Sequence, residues 1–358
     1  MSDFFEIDFL DVESAKSGDA ISLRYKIGDT TNIHVVDGGF QETGQKVVDH
    51  IRKYYNNPDY IQHVVVTHPD GDHVGGLQTV LEQFNVEHLW MLRPWLYVNE
   101  IIDQFPRFSS VENLQKRLKE IYKNIAVLEE IAKSKNIEIC EPFQGAIIGE
   151  FTVLTPSKKR YIDLIVQSER TPEPTRDAQK TASIRELFEK MIALIKTPWG
   201  KEIFSTDETS TENEMSVVQY AKLCNKHLLL TADAGRNGLT EAADFAPYVG
   251  LSLPGIDRFQ VPHHGSRHNV STEILDHWLG PRLSSKLQKD KEKFTAIVSS
   301  AKKDEDHPRK AVIRALIHRG AKVFTTEGSS HRTSQNAPDR NGWSAATSLE
   351  YPEEQEEN

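Results

Sequence analysis

Cysteine and long apolar runs are both scarce in this chain. Of its 358 residues only Cys140 and Cys224 are cysteines, and neither belongs to a Cys-x-x-Cys pair. This spacing excludes a disulfide framework and a zinc–thiolate motif, and it fits a reducing compartment. No apolar run approaches the roughly 20 residues of a membrane span, and the N-terminus is acidic where a secretory signal would be basic. We therefore expect a cytoplasmic protein without membrane insertion.

Positive charge is also in short supply. The chain has 43 Lys and Arg against 53 Asp and Glu, a net charge of −10 and a sequence pI of about 5.8. Because the whole molecule repels polyanions, contact with nucleic acid would need a local basic patch together with metal ions. The remaining composition, 38% hydrophobic and 27% charged, is that of a globular enzyme long enough to bury a sizeable core.

The most informative stretch is VVVTHPDGDHVGG, residues 64–76. Its valines predict a buried strand, which Thr67 and Pro69 end. The loop that follows presents four potential metal ligands within six residues, namely His68, Asp70, Asp72 and His73. After the paired glycines, apolar residues at positions i, i+3, i+4 and i+7 from Leu77 predict a helix. A loop held between a strand and a helix can fix the geometry of metal ligands.

Later strands also run into acidic and imidazole side chains. The leucines of residues 228–230 predict a buried strand that ends near Asp233, whose two carboxylate oxygens could each hold one cation. A strand over residues 259–261 leads into His263 and His264. Because adjacent side chains of an extended chain point to opposite sides, we expect one of these imidazoles to face the metals and the other to be structural. The facing imidazole could be a ligand or a general acid.

His307 lies at a third junction of this kind. It follows a predicted strand over residues 294–298 and precedes Pro308, which is suited to the first position of a helix. This placement suits a metal ligand, and an unligated capping histidine is the alternative. Asp37 also follows a predicted strand, where it could support the metal ligands or cap a turn.

The loop pattern from His68 to His73, HxDxDH, resembles the signature HxHxDH of the metallo-β-lactamase fold superfamily. Its Asp70 variant resembles the hydrolase domain of ComEC competence proteins. Asp233 and the HHGS sequence from His263 to Ser266 follow in the same order as in that family. The resemblance covers most of residues 4–326 and implies an α/β fold, a four-layer αββα sandwich. We expect a single domain over residues 1–326, with helical insertions at about 95–135 and 157–201. The composition of the tail over residues 327–358, rich in Ser, Asn, Arg and Glu, predicts that its end is disordered.

The resemblance further implies a centre that holds two divalent metal ions. It assigns one metal to His68 and Asp70, a second to Asp72, His73 and His307, and a bridging role to Asp233. The first metal would usually have another histidine, for which the sequence offers no clear counterpart. His88 lies in a strand-like run that favours a structural role, so His263, His264 or a water molecule could complete the site, or the site could bind more weakly. An aspartate in place of an imidazole makes the site harder, which admits manganese alongside zinc.

Hydrolysis is the reaction class that two such cations imply. The catalytic candidates are Asp72, His263 and His264. Candidate contacts to a phosphate oxygen are Asn213, Ser216, Gly265 and Ser266, with strand capping or a plain turn as the alternative for each.

The ComEC resemblance implies a phosphodiesterase or nuclease that acts on DNA. The acidic charge favours the alternative, a hydrolase of a small phosphoester, cyclic nucleotide, thioester or lactone. The second alternative is a non-catalytic binding module, although carboxylates crowded into one loop repel each other without cations. The sequence leaves the oligomeric state open.

The chain between residues 90 and 216 is longer than this fold needs. A capping box at Ser109 and Glu112, followed by apolar spacings of three and four up to Ile131, predicts one long amphipathic helix. A second helical pattern runs from Ile184 to Ile195. These helices could pack outside the sandwich or cap the metal site. A cap could contact substrate through Arg160, Tyr161, Arg170 or Trp199.

In the tail, residues 343–351 could add an edge strand.

Overall fold

Two seven-stranded β-sheets form the centre of the computed structural model, which describes residues 2–172 and 193–357. Strands are numbered in chain order. The first sheet contains, in spatial order, β15 (His331–Gln335), β1 (Phe4–Phe9), β2 (Ala20–Ile27), β3 (Thr30–Gly38), β4 (Tyr60–Val65), β5 (Asn85–Trp90) and β6 (Glu138–Cys140). The second contains β14 (Ala321–Thr325), β13 (Phe294–Val298), β12 (Arg258–Gln260), β11 (Lys226–Leu230), β10 (Val218–Leu223), β8 (Phe151–Thr155) and β7 (Ile147–Ile148). A separate pair joins β9 (Leu194–Lys196) to β16 (Glu354–Glu356).

Each large sheet combines an antiparallel and a parallel half. Neighbouring strands from β3 to β6 pair in parallel, as do those from β11 to β14, and the other neighbours are antiparallel. Parallel strands place their carboxyl ends at one edge of a sheet, where binding sites form. Each sheet therefore presents a set of strand-end loops at one edge.

Helices cover the outer faces of the two sheets. The described helices are α1 (Gly44–Tyr54), α2 (Gly71–Val74), α3 (Leu77–Gln83), α4 (Val98–Ile101), α5 (Val111–Ile121), α6 (Lys123–Lys135), α7 (Lys158–Gln167), α8 (Thr211–Glu214), α9 (Arg236–Phe245), α10 (Thr272–Leu279) and α11 (Lys310–His318). Short 3-10 turns lie at Gln41–Thr43, Pro94–Tyr97, Ile102–Gln104, Ala246–Val249 and His263–Gly265. None of the helices in the described ranges has the length and hydropathy that a membrane span requires.

The buried side chains form two hydrophobic cores. One joins both sheets to α1, α3 and the α5–α6 region, and the other lies between the second sheet and α9, α10 and α11. Leu77, Val80 and Leu81 of α3, three of the positions with helical spacing, are fully buried. The α/β fold with two large sheets flanked by helices, predicted from the sequence, is confirmed.

The single long helix predicted over residues 111–131 is wrong. The chain leaves helical geometry at Tyr122 (φ −96°, ψ 44°), between α5 and α6. The buried Tyr122 hydroxyl donates to Ser168 Oγ and Glu212 Oε1, both at 3.2 Å, so distant contacts set the break. The N-cap of α5 is Ser110 rather than Ser109. The second predicted helix, Ile184 to Ile195, lies outside the described residues except for its last members, and Ile195 is in β9.

The C-terminal end differs from the prediction of disorder. Glu354–Glu356 forms β16, and the Glu356 carboxylate accepts hydrogen bonds from the backbone N–H groups of Lys310 (2.8 Å) and Ala311 (2.9 Å). The strand added to the edge of the first sheet is β15, not residues 343–351. Pro308 precedes the first residue of α11 by two positions, so it does not occupy the predicted first helical position.

Candidate metal centre

Loops from both sheets converge on one cluster of imidazoles and carboxylates. The loop after β4 and the short helix α2 carry His68 to His73, and the loop after β11 carries Asp233. The loop after β12 carries His263 and His264. We call the cluster formed by His68, Asp72, His73, Asp233 and His264 the candidate centre.

Asp233 lies among four imidazoles. Its Oδ1 is 3.3 Å from His73 Nε2 and 4.0 Å from His264 Nε2. Its Oδ2 is 3.7 Å from His68 Nε2 and 3.6 Å from His263 Nε2. Both oxygens of this buried carboxylate therefore face imidazole nitrogens, which is the arrangement expected of a bridging ligand.

Four buried polar atoms of the centre have no hydrogen-bond partner within the described part of the chain. They are Nε2 of His68, His73 and His264 and Oδ1 of Asp233. A buried polar atom left without a partner costs about 1–3 kcal/mol, so four of them in one cluster indicate a shared partner. Imidazole nitrogen and carboxylate oxygen are common donors to zinc and manganese. The donor set therefore fits a divalent cation.

The opposite ring nitrogens are held by the protein. His264 Nδ1 donates to the backbone oxygen of Ser299 at 2.9 Å, and His68 Nδ1 lies 3.1 Å from Thr67 Oγ1. A histidine whose Nδ1 proton is donated in this way keeps the Nε2 lone pair free for a metal. The contact to Ser299 thus orients the His264 ring with its lone pair towards the centre.

Asp37 holds the loop in place from β3. Its Oδ2 accepts from Thr67 Oγ1 (2.6 Å) and lies 2.7 Å from His73 Nδ1, while its Oδ1 accepts from Thr67 N (3.0 Å). Of the two roles predicted for Asp37, support of the neighbouring imidazole is the one that these contacts favour. Its backbone is left-handed, with φ +57°, a conformation that Asp and Asn tolerate better than most residues.

The charges of the centre act strongly on one another. Burial alone would raise the pKa of Asp72, but the His264 imidazole, 3.6 Å from Asp72 Oδ2, and the charge of His73 outweigh it and lower that pKa. Burial would lower the pKa of His264, yet Asp233 and Asp72 raise it to about 9. Opposite charge thus favours the protonated form of His264, whereas burial lowers the pKa of His68. Because metal ligands must be deprotonated, we expect metal binding to release protons.

At the candidate centre there are three groups of potential ligands. Within each group the donor atoms lie within 4.8 Å of one another. The groups are Asp37, His68 and His73; Asp72, His73 and His264; and Asp19, His73 and Asp233. Most of the residues singled out in the sequence are therefore brought together. Sequence reasoning missed Asp19, a fully buried residue before β2 whose Oδ2 accepts from Gln260 Nε2 at 3.0 Å. No linear motif surrounds Asp19, so nothing in the sequence marks it.

Two predicted ligands lie at the edge of the centre. Asp70 Oδ2 is 3.9 Å from His68 Nε2, but the Asp70 carboxylate also accepts from both terminal nitrogens of Arg170. The His307 ring lies 5.5 Å from that of His263, and its Nδ1 is 3.2 Å from Asp304 Oδ2. Among the described residues neither belongs to a compact ligand group. Their assignment as metal ligands stays a prediction.

The prediction that only one of His263 and His264 faces the centre is wrong. Both residues have left-handed backbone angles, φ +46° and φ +54°, instead of the extended conformation assumed. The chain turns here, so both Nε2 atoms lie within 4.0 Å of Asp233. His264 is buried, whereas the His263 side chain is 26% exposed and its Nδ1 donates to Asn269 Oδ1 at 2.8 Å.

Three of the four candidate substrate contacts are engaged within the protein. Asn213 Nδ2 donates to Thr209 Oγ1 at 2.8 Å. The N–H groups of Gly265 and Ser266 each donate to the backbone oxygen three residues earlier. Ser216 is buried, and its Oγ has no hydrogen-bond partner within the described part of the chain. These contacts are the ones that the turn and capping alternatives require. A substrate role for these residues stays a prediction.

A separate group of possible ligands lies on the first sheet. His88, Glu138 and Cys140 have donor atoms within 4.8 Å of one another, on β5 and β6. His88 is paired in register with Glu138, whose side chain is 70% exposed. These two strands contribute no residue to the candidate centre.

Part of the chain matches the model of a known protein family. Residues 23–125, from β2 into α6, match the model of the metallo-beta-lactamase superfamily, and this segment contains the loop His68 to His73. The mixed α/β architecture with two large sheets flanked by helices is consistent with the metallo-beta-lactamase fold. The chain is thus a mixed α/β protein with one segment similar to this superfamily and with candidate His and Asp metal sites. No similarity to ComEC proteins is among these findings.

Two crystal structures show a weak similarity. A proposed metallo-beta-lactamase from Thermotoga maritima is 11% identical over 69% of this chain and 92% of its own, with a TM-score of 0.31. A metallo-beta-lactamase from Hirschia baltica is 18% identical over 27% of this chain and 43% of its own, with a TM-score of 0.19. Similarities this low say nothing about activity. No curated protein matches the chain.

Proposed function

We propose that this protein is a metal-dependent hydrolase that cleaves phosphodiesters, with DNA as the substrate that the ComEC resemblance favours. The observation that carries the proposal is the convergence of three unpartnered Nε2 atoms on the Asp233 carboxylate, those of His73 and His264 on its unpartnered Oδ1 and that of His68 on its Oδ2. In a binding module without a metal these buried polar atoms would stay unpaired, and folded proteins rarely leave buried polar atoms unpaired. The family match of residues 23–125 supports the same class.

The proposed centre holds two divalent cations, zinc or manganese. His68 and Asp70 would hold one, Asp72 and His73 the other, and Asp233 would lie between them. His264 and His307 are the further candidate ligands of the second cation. The burial of His264 makes it the favoured ligand of the two. When bound, such cations lower the pKa of a water molecule and stabilise negative charge on the attacked phosphorus.

The protein's own side chains have distinct roles in this proposal. Asp37 orients His73, and Ser299 orients His264, which keeps both Nε2 lone pairs directed at the centre. His263 is partly exposed and has its Nδ1 proton donated to Asn269. A protonated His263 could therefore give its Nε2 proton to the leaving oxygen as general acid.

A small substrate is the second candidate. The net charge of −10 opposes the approach of a polyanion, and it favours a hydrolase of a small phosphoester, cyclic nucleotide, thioester or lactone over a nuclease. The partly exposed guanidinium of Arg170 beside Asp70 favours an anionic member of this set.

The test is a hydrolysis assay with manganese, magnesium or zinc added in turn. Substrates are single- and double-stranded DNA, bis(p-nitrophenyl) phosphate and a panel of thioesters and lactones. We expect metal-dependent cleavage of the phosphodiesters that falls at least about 100-fold in Asp72→Ala and His73→Ala. The matched control is Asp49→Ala, an exposed aspartate on α1, which should retain full activity.

The possible outcomes separate the candidates. Cleavage of bis(p-nitrophenyl) phosphate without cleavage of DNA would favour the small-substrate hydrolase. Equal activity of the wild type and Asp72→Ala, or no activity on any substrate despite bound metal, would contradict the hydrolase proposal and favour the non-catalytic binding module.

A further inference from the structure

Arg170 lies at the mouth of the candidate centre, in the loop after α7. Its Nη1 is 2.5 Å from Asp70 Oδ1 and its Nη2 is 3.2 Å from Asp70 Oδ2, a two-pronged contact. Four side chains of the possible cap are candidates for substrate contact. Of these, Arg170 makes a two-pronged contact with the metal-binding loop. Arg160 pairs instead with Glu214, and Trp199 donates to the backbone oxygen of Leu283 at 2.7 Å.

A buried polar network holds Arg170 in this position. The backbone N–H of Arg170 donates to Ser168 Oγ at 3.1 Å, and the Ser168 hydroxyl donates to Glu212. Tyr122 donates to both groups, and Thr171 Oγ1 donates to the backbone oxygen of Ser168 at 2.7 Å. Networks of satisfied buried hydrogen bonds give a loop one fixed conformation. An arginine that served only as an exposed surface charge would not need hydrogen bonds that fix the conformation of its loop.

The guanidinium still has donors to offer. It carries five N–H groups, and Asp70 accepts one from each terminal nitrogen. The Arg170 side chain is 45% exposed, so the second N–H of each terminal nitrogen remains available to a ligand that enters from solvent. Glu212 Oε2, at 3.7 Å from Nε, holds the inner side of the group.

The surrounding charge makes this donor important. Five aspartates line the centre or its ligands, namely Asp19, Asp37, Asp70, Asp72 and Asp233. An anionic substrate approaching these carboxylates is repelled unless cations neutralise them. A fixed guanidinium beside Asp70 supplies positive charge and two directed donors at the mouth itself.

We propose that Arg170 is an anion-recognition residue that binds a non-bridging oxygen of a phosphate-ester substrate beside Asp70. This inference rests on the proposed hydrolase function and narrows its substrate class to phosphate esters over neutral esters, thioesters and lactones. Tyr122 is a positioning residue that acts on Arg170 through Ser168 and Glu212.

The experiment compares two substrates with one leaving group, the anionic bis(p-nitrophenyl) phosphate and the neutral p-nitrophenyl acetate, on metal-loaded full-length protein. Arg170→Met should raise KM for the diester about 10- to 100-fold, the value of a charge-assisted hydrogen bond. It should leave kcat/KM for the acetate and the metal content per chain unchanged. Arg170→Lys should restore part of the diester affinity, because it keeps the charge but not the fork.

Two further variants sharpen the result. Arg117→Met removes an exposed arginine that pairs with Glu120 on α5, and it should change neither substrate. Tyr122→Phe should raise KM for the diester less than Arg170→Met does, with kcat retained. Equal losses on both substrates, or loss of bound metal in Arg170→Met, would show that Arg170 only supports Asp70 and would overturn the proposal.

A binding measurement keeps the inference testable if the hydrolase proposal fails. Titration calorimetry with inorganic phosphate on the metal-loaded protein should show affinity that Arg170→Met weakens about 10-fold or more and Arg117→Met leaves unchanged. Equal phosphate affinity of wild type and Arg170→Met would overturn the role of Arg170, whether or not any ester is hydrolysed.

Discussion

At the scale of single residues, Gly76 shows how little space the metal-binding loop leaves. A Cβ atom on Gly76 would lie 2.1 Å from the backbone oxygen of Gly38 and 2.8 Å from the backbone nitrogen of Gly44. Both neighbours are backbone atoms within packed elements, so neither can move aside cheaply. This close approach presses the start of α3 against β3 and α1, and it thereby fixes the loop that carries His68 to His73.

Gly76→Ala should therefore be strongly destabilising, by about 3 kcal/mol or more. The matched control is Gly71→Ala, since a Cβ there would meet only Asn124 Nδ2, at the ordinary contact distance of 3.5 Å. Chemical denaturation of both variants measures the difference. Equal free energies of unfolding for the two variants would contradict the packing described for this loop.

Asp37 is the residue through which the protein controls the orientation of His73. Asp37→Asn keeps the shape of the side chain and tolerates the left-handed backbone, but it replaces one acceptor oxygen by a donor. It can no longer accept from both Thr67 and His73 as the carboxylate does. We expect metal affinity to fall about 10- to 100-fold, as measured by competition with a chelating dye, with the far-UV circular dichroism unchanged. Unaltered affinity, equal to that of the control Asp49→Asn, would contradict this role.

The residues of the centre were predictable where a motif held them together. His68 to His73 lie within one loop, and Asp233 and His264 follow strands that the sequence marks clearly. The joint orientation of His263 and His264 could not be predicted, because no sequence signal here indicates left-handed backbone angles at two consecutive histidines. Asp19 was missed for a similar reason, since burial alone brings it to the centre.

At the scale of elements, the buried strands were easier to predict than the helix boundaries. Parallel strands covered on both faces read as continuous apolar runs, and β4, β11 and β13 lie where those runs are. The break between α5 and α6 depends instead on the hydroxyl of Tyr122, whose partners are 46 and 90 residues away. Periodicity within a window cannot report such a contact.

The tail shows the same limit for an acidic segment. Its composition suggested disorder, but the Glu356 carboxylate lies at the N-terminus of α11 and accepts two of its unpaired N–H groups. A carboxylate in this position satisfies the helix end and interacts favourably with the helix dipole. The tail therefore supports the helix that follows His307.

Glu356→Ala should therefore lower the free energy of unfolding by about 1–2 kcal/mol. Glu353→Ala is the matched control, because Glu353 is exposed, and it should change stability by less than about 0.5 kcal/mol. Urea denaturation monitored by tryptophan fluorescence compares the two. A Glu356→Ala protein as stable as the wild type would show that the tail contact contributes nothing.

At the scale of the whole molecule, the two sheets place carboxylates and imidazoles from distant parts of the sequence at one edge. The acidic loop after β4 meets Asp233 from the second sheet, although 160 residues separate Asp233 from His73. Without cations this arrangement concentrates negative charge within a molecule whose net charge is already −10. Divalent cations would remove that repulsion, so metal binding and stability should be coupled.

The most direct test of the candidate centre is the melting temperature of the purified protein during titration with manganese or zinc, compared with Asp233→Asn. Binding to the folded state alone should stabilise the wild type by about 2.7 kcal/mol at a free metal concentration of 100 Kd, and a chelator should reverse the shift. Asp233→Asn should lose most of this stabilisation, whereas Asp49→Asn should keep it. A wild-type melting temperature that neither metal nor chelator changes, with no metal bound per chain, would contradict the centre itself.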